Sequence, residues 1–147
     1  MRRYLTFIDA PYDDVWDALT AASRHAAWNV APCLQFGKRT GGRCLWGEGG
    51  RPLIEGRITS WKPSKGAFAH SFAFTFATEP ESLVEWETEE QGEVVSVAVC
   101  HHLGGRRDRP QTRGFVEDGW FLVLARLKTL LETGEPMPWP GGTPDYW

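Results

Sequence analysis

The strongest constraint on the fold is a run of large side chains at every second position from residue 68 to residue 76. Phe68, His70, Phe72, Phe74 and Phe76 alternate with small residues in this run. Successive side chains of a β-strand point to opposite faces, so this spacing predicts one face crowded with rings. A sheet with such a face has to bury it against a second layer.

The second layer is predicted near the C-terminal end of the chain. Apolar residues recur at helical spacing from Val116 to Leu131, and Gly134 follows as a helix C-cap. The remaining elements are predicted in this order: a strand at residues 4–8, short helices at 12–19 and 22–28, and an antiparallel sheet over 34–103. This order predicts an α+β fold in which a curved antiparallel sheet wraps around a long C-terminal helix.

Size, charge and cysteine usage narrow the class of protein. The chain has 147 residues, which suits one domain, and a formal net charge of -3, which argues against a general nucleic-acid binder. No apolar run approaches the roughly 20 residues that span a bilayer, and aspartates interrupt the N-terminus where a secretion signal needs an apolar stretch. The three cysteines contain no CxxC motif, which is typical of a reducing compartment. We therefore expect a cytoplasmic protein without a membrane span.

Several segments resemble those of one known family and occur in the same order. They are YLTFIDAPYDDVWDALT at residues 4–20, Gly41-Gly42-Arg43, Ile54 to Ile58, SLVEWE at residues 82–87, Gly119-Trp120, and Leu127 to Gly134. With these residues the chain resembles the SRPBCC (START-like, helix-grip) superfamily, in its branch of heat shock protein 90 ATPase activator homologues, and within it the small stand-alone bacterial members. The resemblance implies a helix-grip fold with a cavity between the sheet and the last helix. It also implies a single domain over residues 1–136, followed by a Pro/Gly-rich tail over residues 137–147.

The residues expected to line that cavity lie on the inward register of the strands or on the last helix. They are Trp46, Phe68, His70, Phe72, Phe74, Trp86, Val97, Val99, His101, Trp120 and Leu124. The rings could form walls for a flat apolar ligand, or they could simply fill the core. His70 and His101 are the polar candidates, either to orient a ligand or to act as acid–base catalysts. The alternative for His70 is a half-buried histidine bonded to the backbone.

A metal site is not predicted, although three potential ligands are adjacent in the sequence. Neighbouring strand residues point to opposite faces, so His101 cannot share a metal ion with Cys100 and His102 unless the strand bulges. Glu55 and Glu85 alternate out of the inward register, which predicts solvated side chains rather than a carboxylate pair. No cofactor is predicted either.

Two further motifs have ordinary interpretations. The glycine-rich stretch GGRCLWGEGG lacks the Gly-Lys-Ser/Thr end of a phosphate-binding loop and is typical of hairpin turns. A cluster of arginines before the last helix predicts a solvated loop, with binding of an anionic ligand or an acidic partner as the alternative. The cluster consists of Arg106, Arg107, Arg109 and Arg113.

The resemblance leaves three classes of function open. The first is binding of a small hydrophobic molecule, aromatic or polycyclic, in the cavity. The second is a cyclase- or hydrolase-type enzyme in which His70 or His101 moves a proton. The third is a chaperone-interacting module, placed last because a lone domain of this size lacks the extra N-terminal segment expected of chaperone activators. A homodimer is left open, and no nucleic-acid partner is expected.

Overall fold

The structure, a computed structural model, describes residues 1–103 and 115–142. Its elements are, in chain order, β1 (Arg2–Ile8), α1 (Tyr12–Thr20), the 3₁₀ helix η1 (Ala22–Ala27), β2 (Cys33–Phe36), β3 (Arg43–Glu48), β4 (Arg51–Lys62), the 3₁₀ helix η2 (Pro63–Lys65), β5 (Ala67–Phe74), β6 (Ser82–Gln91), β7 (Val94–His102), a π-helical turn (Phe115–Gly119) and α2 (Trp120–Thr133). The predicted α+β fold, with a sheet followed by a long helix, is confirmed.

The strands form one antiparallel sheet in the order β1-β7-β6-β5-β4-β3-β2. Register shifts interrupt the pairing of β2 with β3, β3 with β4, and β4 with β5, and such bulges bend a sheet. Gly56 allows a close approach between β4 and β5, because a Cβ at this position would lie 1.9 Å from the carbonyl oxygen of Ser71. These features let the sheet curve around a concave face.

The aromatic run occupies the concave face as predicted, except at its last residue. Phe68, His70, Phe72 and Phe74 are all buried, whereas Phe76 is 44% exposed. β5 ends at Phe74 because the chain turns there: the backbone N–H of residue 75 donates to a carbonyl of β4, and the N–H of residue 77 donates back to the Phe74 carbonyl. The prediction that Phe76 continues the inward face is therefore wrong.

α2 covers the concave face with one apolar side. Trp120, Val123 and Leu127 are buried against the sheet, and burying each side chain of this size contributes roughly 1.5–3 kcal/mol. Gly134 ends the helix in the left-handed conformation (φ 90°), and its N–H donates to the carbonyl of Leu130 at 2.8 Å. The predicted glycine C-cap is confirmed.

The two N-terminal helices form a compact corner beside the sheet. Asp13 and Asp14 lie in the first turn of α1, where the helix dipole favours acidic residues. Arg24 of η1 reaches back to α1, with its Nη1 atom 2.6 Å from a carboxylate oxygen of Asp14 and 3.1 Å from one of Asp17. This contact joins η1 to α1, and the His25 ring next to it lies in the buried corner, bonded to Leu19 and Trp46.

Candidate functional site

A small cavity lies on the concave side of the sheet, next to η1 and the start of α2. Its volume is about 20 Å³, which is room for one water molecule. Only two of the lining residues, Asn29 and Phe36, are partly exposed, so the cavity approaches solvent between the end of η1 and β2. The lining residues are Leu19, His25, Trp28, Asn29, Val30, Phe36, Trp46, Ile54, Phe68, His70, Phe72, Trp86 and Trp120.

Three buried histidines in and beside this wall each accept a hydrogen bond from a tryptophan. The first is His25, whose Nδ1 accepts from the indole Nε1 of Trp46 at 3.0 Å. The other ring nitrogen, Nε2, lies 2.8 Å from the carbonyl oxygen of Leu19. A nitrogen that accepts carries no proton, so Nε2 holds the proton and donates to Leu19. The two bonds set the tautomer of His25 and join the N-terminal helices to β3.

His70 follows the same pattern in the middle of the sheet. Its Nε2 accepts from the indole Nε1 of Trp86 at 3.3 Å, and its Nδ1 lies 2.8 Å from the carbonyl oxygen of Ser71. The Trp86 ring also lies nearly parallel to that of Phe68, with centroids 6.0 Å apart and planes at 13°. His70 is therefore bonded to the backbone, as in the alternative interpretation of the sequence, but it is buried rather than half-buried, and it also lines the cavity.

His101 forms the third pair, behind the wall rather than in it. Its Nδ1 accepts from the indole Nε1 of Trp120 at 2.9 Å, and its Nε2 lies 2.7 Å from the hydroxyl of Ser82. That hydroxyl donates to the carbonyl oxygen of Phe72 at 3.3 Å. His101 thus donates to Ser82 and links α2, β6 and β5 through one imidazole.

Burial keeps all three imidazoles neutral. It lowers the pKa of His25, His70 and His101 from 6.5 to about 4, because a charged ring would lose its hydration. A charge on His70 would further lower the pKa of the other two by repulsion. Each ring also uses both nitrogens, one as acceptor and one as donor. Proton transfer to a ligand would first have to break one of these bonds, which favours a structural wall over acid–base chemistry.

Arg126 of α2 holds the outer part of this wall in place. Its side chain is 9% exposed, and its guanidinium donates to the carbonyl oxygens of Trp28 at 3.4 Å and Ala27 at 3.2 Å. It also donates to the carbonyl oxygen of Met137, and it lies 4.6 Å from the ring centre of Trp139. One buried cation therefore ties η1 and the segment after α2 to the central helix.

A comparison with known protein families shows to which family the chain belongs. Residues 9–132 match the profile of the family described as "Activator of Hsp90 ATPase homolog 1-like protein", a match that runs from before α1 almost to the end of α2. The chain belongs to this family. No curated protein matches its sequence.

Three solved structures have a fold similar to that of this chain. CalU16 from Micromonospora echinospora is 25% identical, with a TM-score of 0.71 over 92% of this chain and 76% of its own. DynU16, a protein in the dynemicin biosynthetic locus, is 24% identical with a TM-score of 0.74, over 91% of this chain and 48% of its own, so this chain spans about half of it. The Aha1 dimer from Colwellia psychrerythraea is 18% identical with a TM-score of 0.71, over 90% of this chain and 96% of its own. The expected helix-grip fold is confirmed.

The residues predicted to line the cavity divide into two groups. Six of them lie in its wall: Trp46, Phe68, His70, Phe72, Trp86 and Trp120. The other five are buried outside the lining set: Phe74, Val97, Val99, His101 and Leu124. Whether any of the eleven contacts a ligand stays a prediction.

Sequence reasoning missed one whole side of the cavity. His25, Trp28 and Phe36 line it, although Trp28 was assigned only to the N-terminal helices. Trp28 is almost fully buried, and its indole Nε1 donates to the carbonyl oxygen of Ala18 at 3.0 Å. The local sequence contains no signal for this burial, because it depends on how η1 folds onto α1.

The remaining sequence motifs add no chemistry to the site. Across residues 1–103 and 116–142, no three His, Cys, Asp or Glu side chains lie close enough together to hold a metal ion. His102 faces away from His101, and its Nε2 lies 2.6 Å from a carboxylate oxygen of Glu85 on the outer face. The arginine cluster at residues 106–113 lies outside the described residues. In the described part of the chain, no helix is long and apolar enough to cross a membrane.

Proposed function

We propose that this protein binds a small, flat, uncharged apolar molecule between the sheet and α2. The observation that carries the proposal is a wall in which the histidine and tryptophan nitrogens bond to one another or to the backbone. Such a wall leaves ring faces and aliphatic groups toward the cavity. A charged ligand would find no counter-ion there, whereas an aromatic one could stack on Trp86, Trp46 or Phe68.

Binding requires the cavity to widen, and β2 is the element that can move at least cost. An apolar cavity that holds benzene measures about 150 Å³, against about 20 Å³ here. Phe36 is partly exposed at the end of β2, which has only four residues, a register shift and a single neighbouring strand. The Phe36 ring lies edge-on to Phe68, with centroids 5.6 Å apart. Swinging it outward would open the cavity between β2 and η1.

DynU16, a protein of similar fold, is described as a protein in a biosynthetic locus, which agrees with a small organic molecule as the proposed ligand class. The enzyme interpretation, with His70 or His101 as acid or base, gains no support from the geometry because both nitrogens of each ring are in use. The chaperone-interacting module stays a prediction, ranked last. A cytoplasmic location likewise stays a proposal, and the free Cys33, Cys44 and Cys100 suit it.

Titration with N-phenyl-1-naphthylamine, an uncharged fluorescent probe, tests the proposal. Replacing Phe36 by alanine removes the ring at the cavity mouth, so we expect the variant to bind the probe about tenfold more tightly than the wild type, a gain of ~1.4 kcal/mol. Phe76→Ala is the control, because it also removes a phenylalanine ring from the surface, and Phe76, which is more exposed than Phe36, does not line the cavity. Absence of binding to both the wild type and Phe36→Ala would refute the proposal. So would an equal gain in the control.

The Colwellia protein of similar fold is described as a dimer, and a second copy of this chain is a further proposed partner. At 18% identity that relative carries an argument about the fold alone. The location of an interface in this protein therefore has to be inferred from the residues of this chain.

A further inference from the structure

The free edge of β1 differs from the rest of the surface in its exposed apolar side chains. Four of the six large apolar residues that the described chain exposes lie at this edge: Met1, Leu5, Phe7 and Phe121. Leu5 is 46% exposed, Phe7 45% and Phe121 62%. The Phe121 ring comes from the first turn of α2 and packs edge-on against Tyr4, with centroids 4.9 Å apart. Leu5 and Phe7 lie on the outer face of β1, and Phe121 lies on the face toward α2, so exposed apolar side chains border this edge on both faces. Scattered apolar residues are common on protein surfaces, but several beside one sheet edge mark an interaction site.

Among the described residues, side chains bond to the free edge of β1 only at its C-terminal end. Lys128 of α2 donates to the carbonyl oxygen of Phe7, and the N–H of Asp9 donates to a carboxylate oxygen of Glu132 at 2.8 Å. Because backbone groups alternate in direction along a strand, the N–H and C=O groups of Leu5 face the same edge as the Phe7 carbonyl. Among the described residues, β1 pairs only with β7. The stretch around Leu5 therefore presents backbone donors and acceptors to a further strand.

The charges along this edge are arranged so that it complements a second copy of itself. Arg2 and Arg3 stand at the start of β1, and Asp9 and Glu132 stand at its end. If two β1 strands pair antiparallel about Leu5, Arg2 and Arg3 of each copy lie opposite the acidic end of the other. The same register places Arg3 next to the exposed ring of Phe7, where a guanidinium is attracted to the ring face. A two-fold axis through Leu5 gives both copies the same charge pairs and the same Arg3–Phe7 contact, as an isologous interface requires.

We propose that two copies of this protein associate through their β1 edges, antiparallel and centred on Leu5, so that the two sheets become continuous. The two Leu5 residues exchange backbone hydrogen bonds at the axis. Each Lys128 gives up the Phe7 carbonyl to an N–H of the other copy and keeps its ion pair with Glu132, whose oxygen is 2.7 Å from the Lys128 Nζ. The inference rests on the proposed self-association and is independent of ligand binding.

Sedimentation velocity from about 1 µM to about 200 µM, where modest interfaces dissociate, tests this surface. Leu5→Lys places two like charges at the axis, and we expect it to weaken association at least tenfold while the wild type dimerises. Leu34→Lys is the matched control, since Leu34 is 38% exposed on β2 at the opposite edge of the sheet; it should dimerise like the wild type. Arg3→Glu provides a second variant, expected to weaken association through the charged ends even if Leu5→Lys folds poorly.

Each outcome decides a separate part of the proposal. A wild type that stays monomeric at the highest concentration refutes self-association altogether. A wild-type dimer that survives both Leu5→Lys and Arg3→Glu refutes this surface while leaving self-association intact. If Leu34→Lys lost the dimer as well, the effect would not be specific to β1, and the proposal that the interface lies at the β1 edge would be refuted. Loss in the two β1 variants alone, with unchanged circular dichroism, supports the β1 interface.

Discussion

Lowering the pH from 7 to 5 should remove about 6 kcal/mol from the free energy of unfolding, because three histidines are buried as neutral rings. The pKa of His25, His70 and His101 is about 4 in the folded protein, against 6.5 when unfolded. Between these values the unfolded chain binds one more proton per histidine, so stability falls as the pH falls. Each histidine contributes a loss of about 1.4 kcal/mol per pH unit, hence about 2 kcal/mol at pH 5. Domains of this size are stable by about 5–15 kcal/mol, so acid should come close to unfolding this one.

Urea unfolding followed by far-ultraviolet circular dichroism, at half-unit steps from pH 8 to pH 4.5, measures this slope. His70→Gln removes one titrating ring, and an amide can still accept from Trp86 and donate to Ser71. We expect this variant to lose about a third of the wild-type slope, whatever its stability at pH 8. His102→Gln is the matched control, because it also removes one histidine but lies on the outer face beside Glu85, away from the three buried rings.

Two results would refute the reasoning. A wild-type stability that differs by less than about 1.5 kcal/mol between pH 7 and pH 5 would mean that the folded protein accepts protons on these rings. A His70→Gln slope equal to that of the wild type would mean that other groups cause the acid sensitivity. Either outcome would remove the argument that the cavity wall is neutral.

Two further substitutions test how the site is held. Gly66→Ala should destabilise the fold by about 2–4 kcal/mol in the same urea assay, since φ is +61° and a Cβ would lie 2.5 Å from two side-chain oxygens. Gly92→Ala is its control, because φ is +66° there and a Cβ would meet nothing within 4 Å. This control should cost about 1 kcal/mol. Arg126→Met should cost about 2–4 kcal/mol, because it leaves the carbonyl of Trp28 unpaired in the interior. It should also shift tryptophan emission by releasing Trp139; unchanged emission and stability would contradict the role of this cation.

Periodicity predicted those parts of the fold that depend on local pattern. The inward face of β5, the apolar side of α2 and the C-cap at Gly134 each follow from spacing within one element. The end of β5 does not, because the turn after Phe74 depends on bonds to β4. Phe76 therefore looked like the next residue of the strand and is an exposed turn residue instead.

Of the cavity lining, sequence patterns predicted residues on β3, β5, β6 and α2. They missed the residues on the N-terminal helices, residues 28–30, Phe36 of β2 and Ile54 of β4. ASRHAAW has no strong periodicity, and the burial of His25 depends on partners outside this segment, the carbonyl of Leu19 and the indole of Trp46. The sequence also did not predict the size of the cavity, and it left open whether the rings enclose a space or fill it. A volume of about 20 Å³ results from how the rings of several elements meet, and no single element determines it. In this conformation the aromatic rings nearly fill the space between the sheet and α2.

The three histidine–tryptophan bonds also have a consequence for the order of folding. They close loops of 21, 16 and 19 residues, one after another along the chain, and the entropy of closing such loops differs by only ~0.2 kcal/mol. β1, in contrast, joins β7 across most of the sequence, with Phe7 opposite Ser96, and contacts so distant form slowly. The wall around the cavity can therefore assemble from neighbouring segments, and β1 docks onto a sheet that already exists. Until it docks, β1 and the edge of β7 both lack their partner strand, and both can pair with another chain.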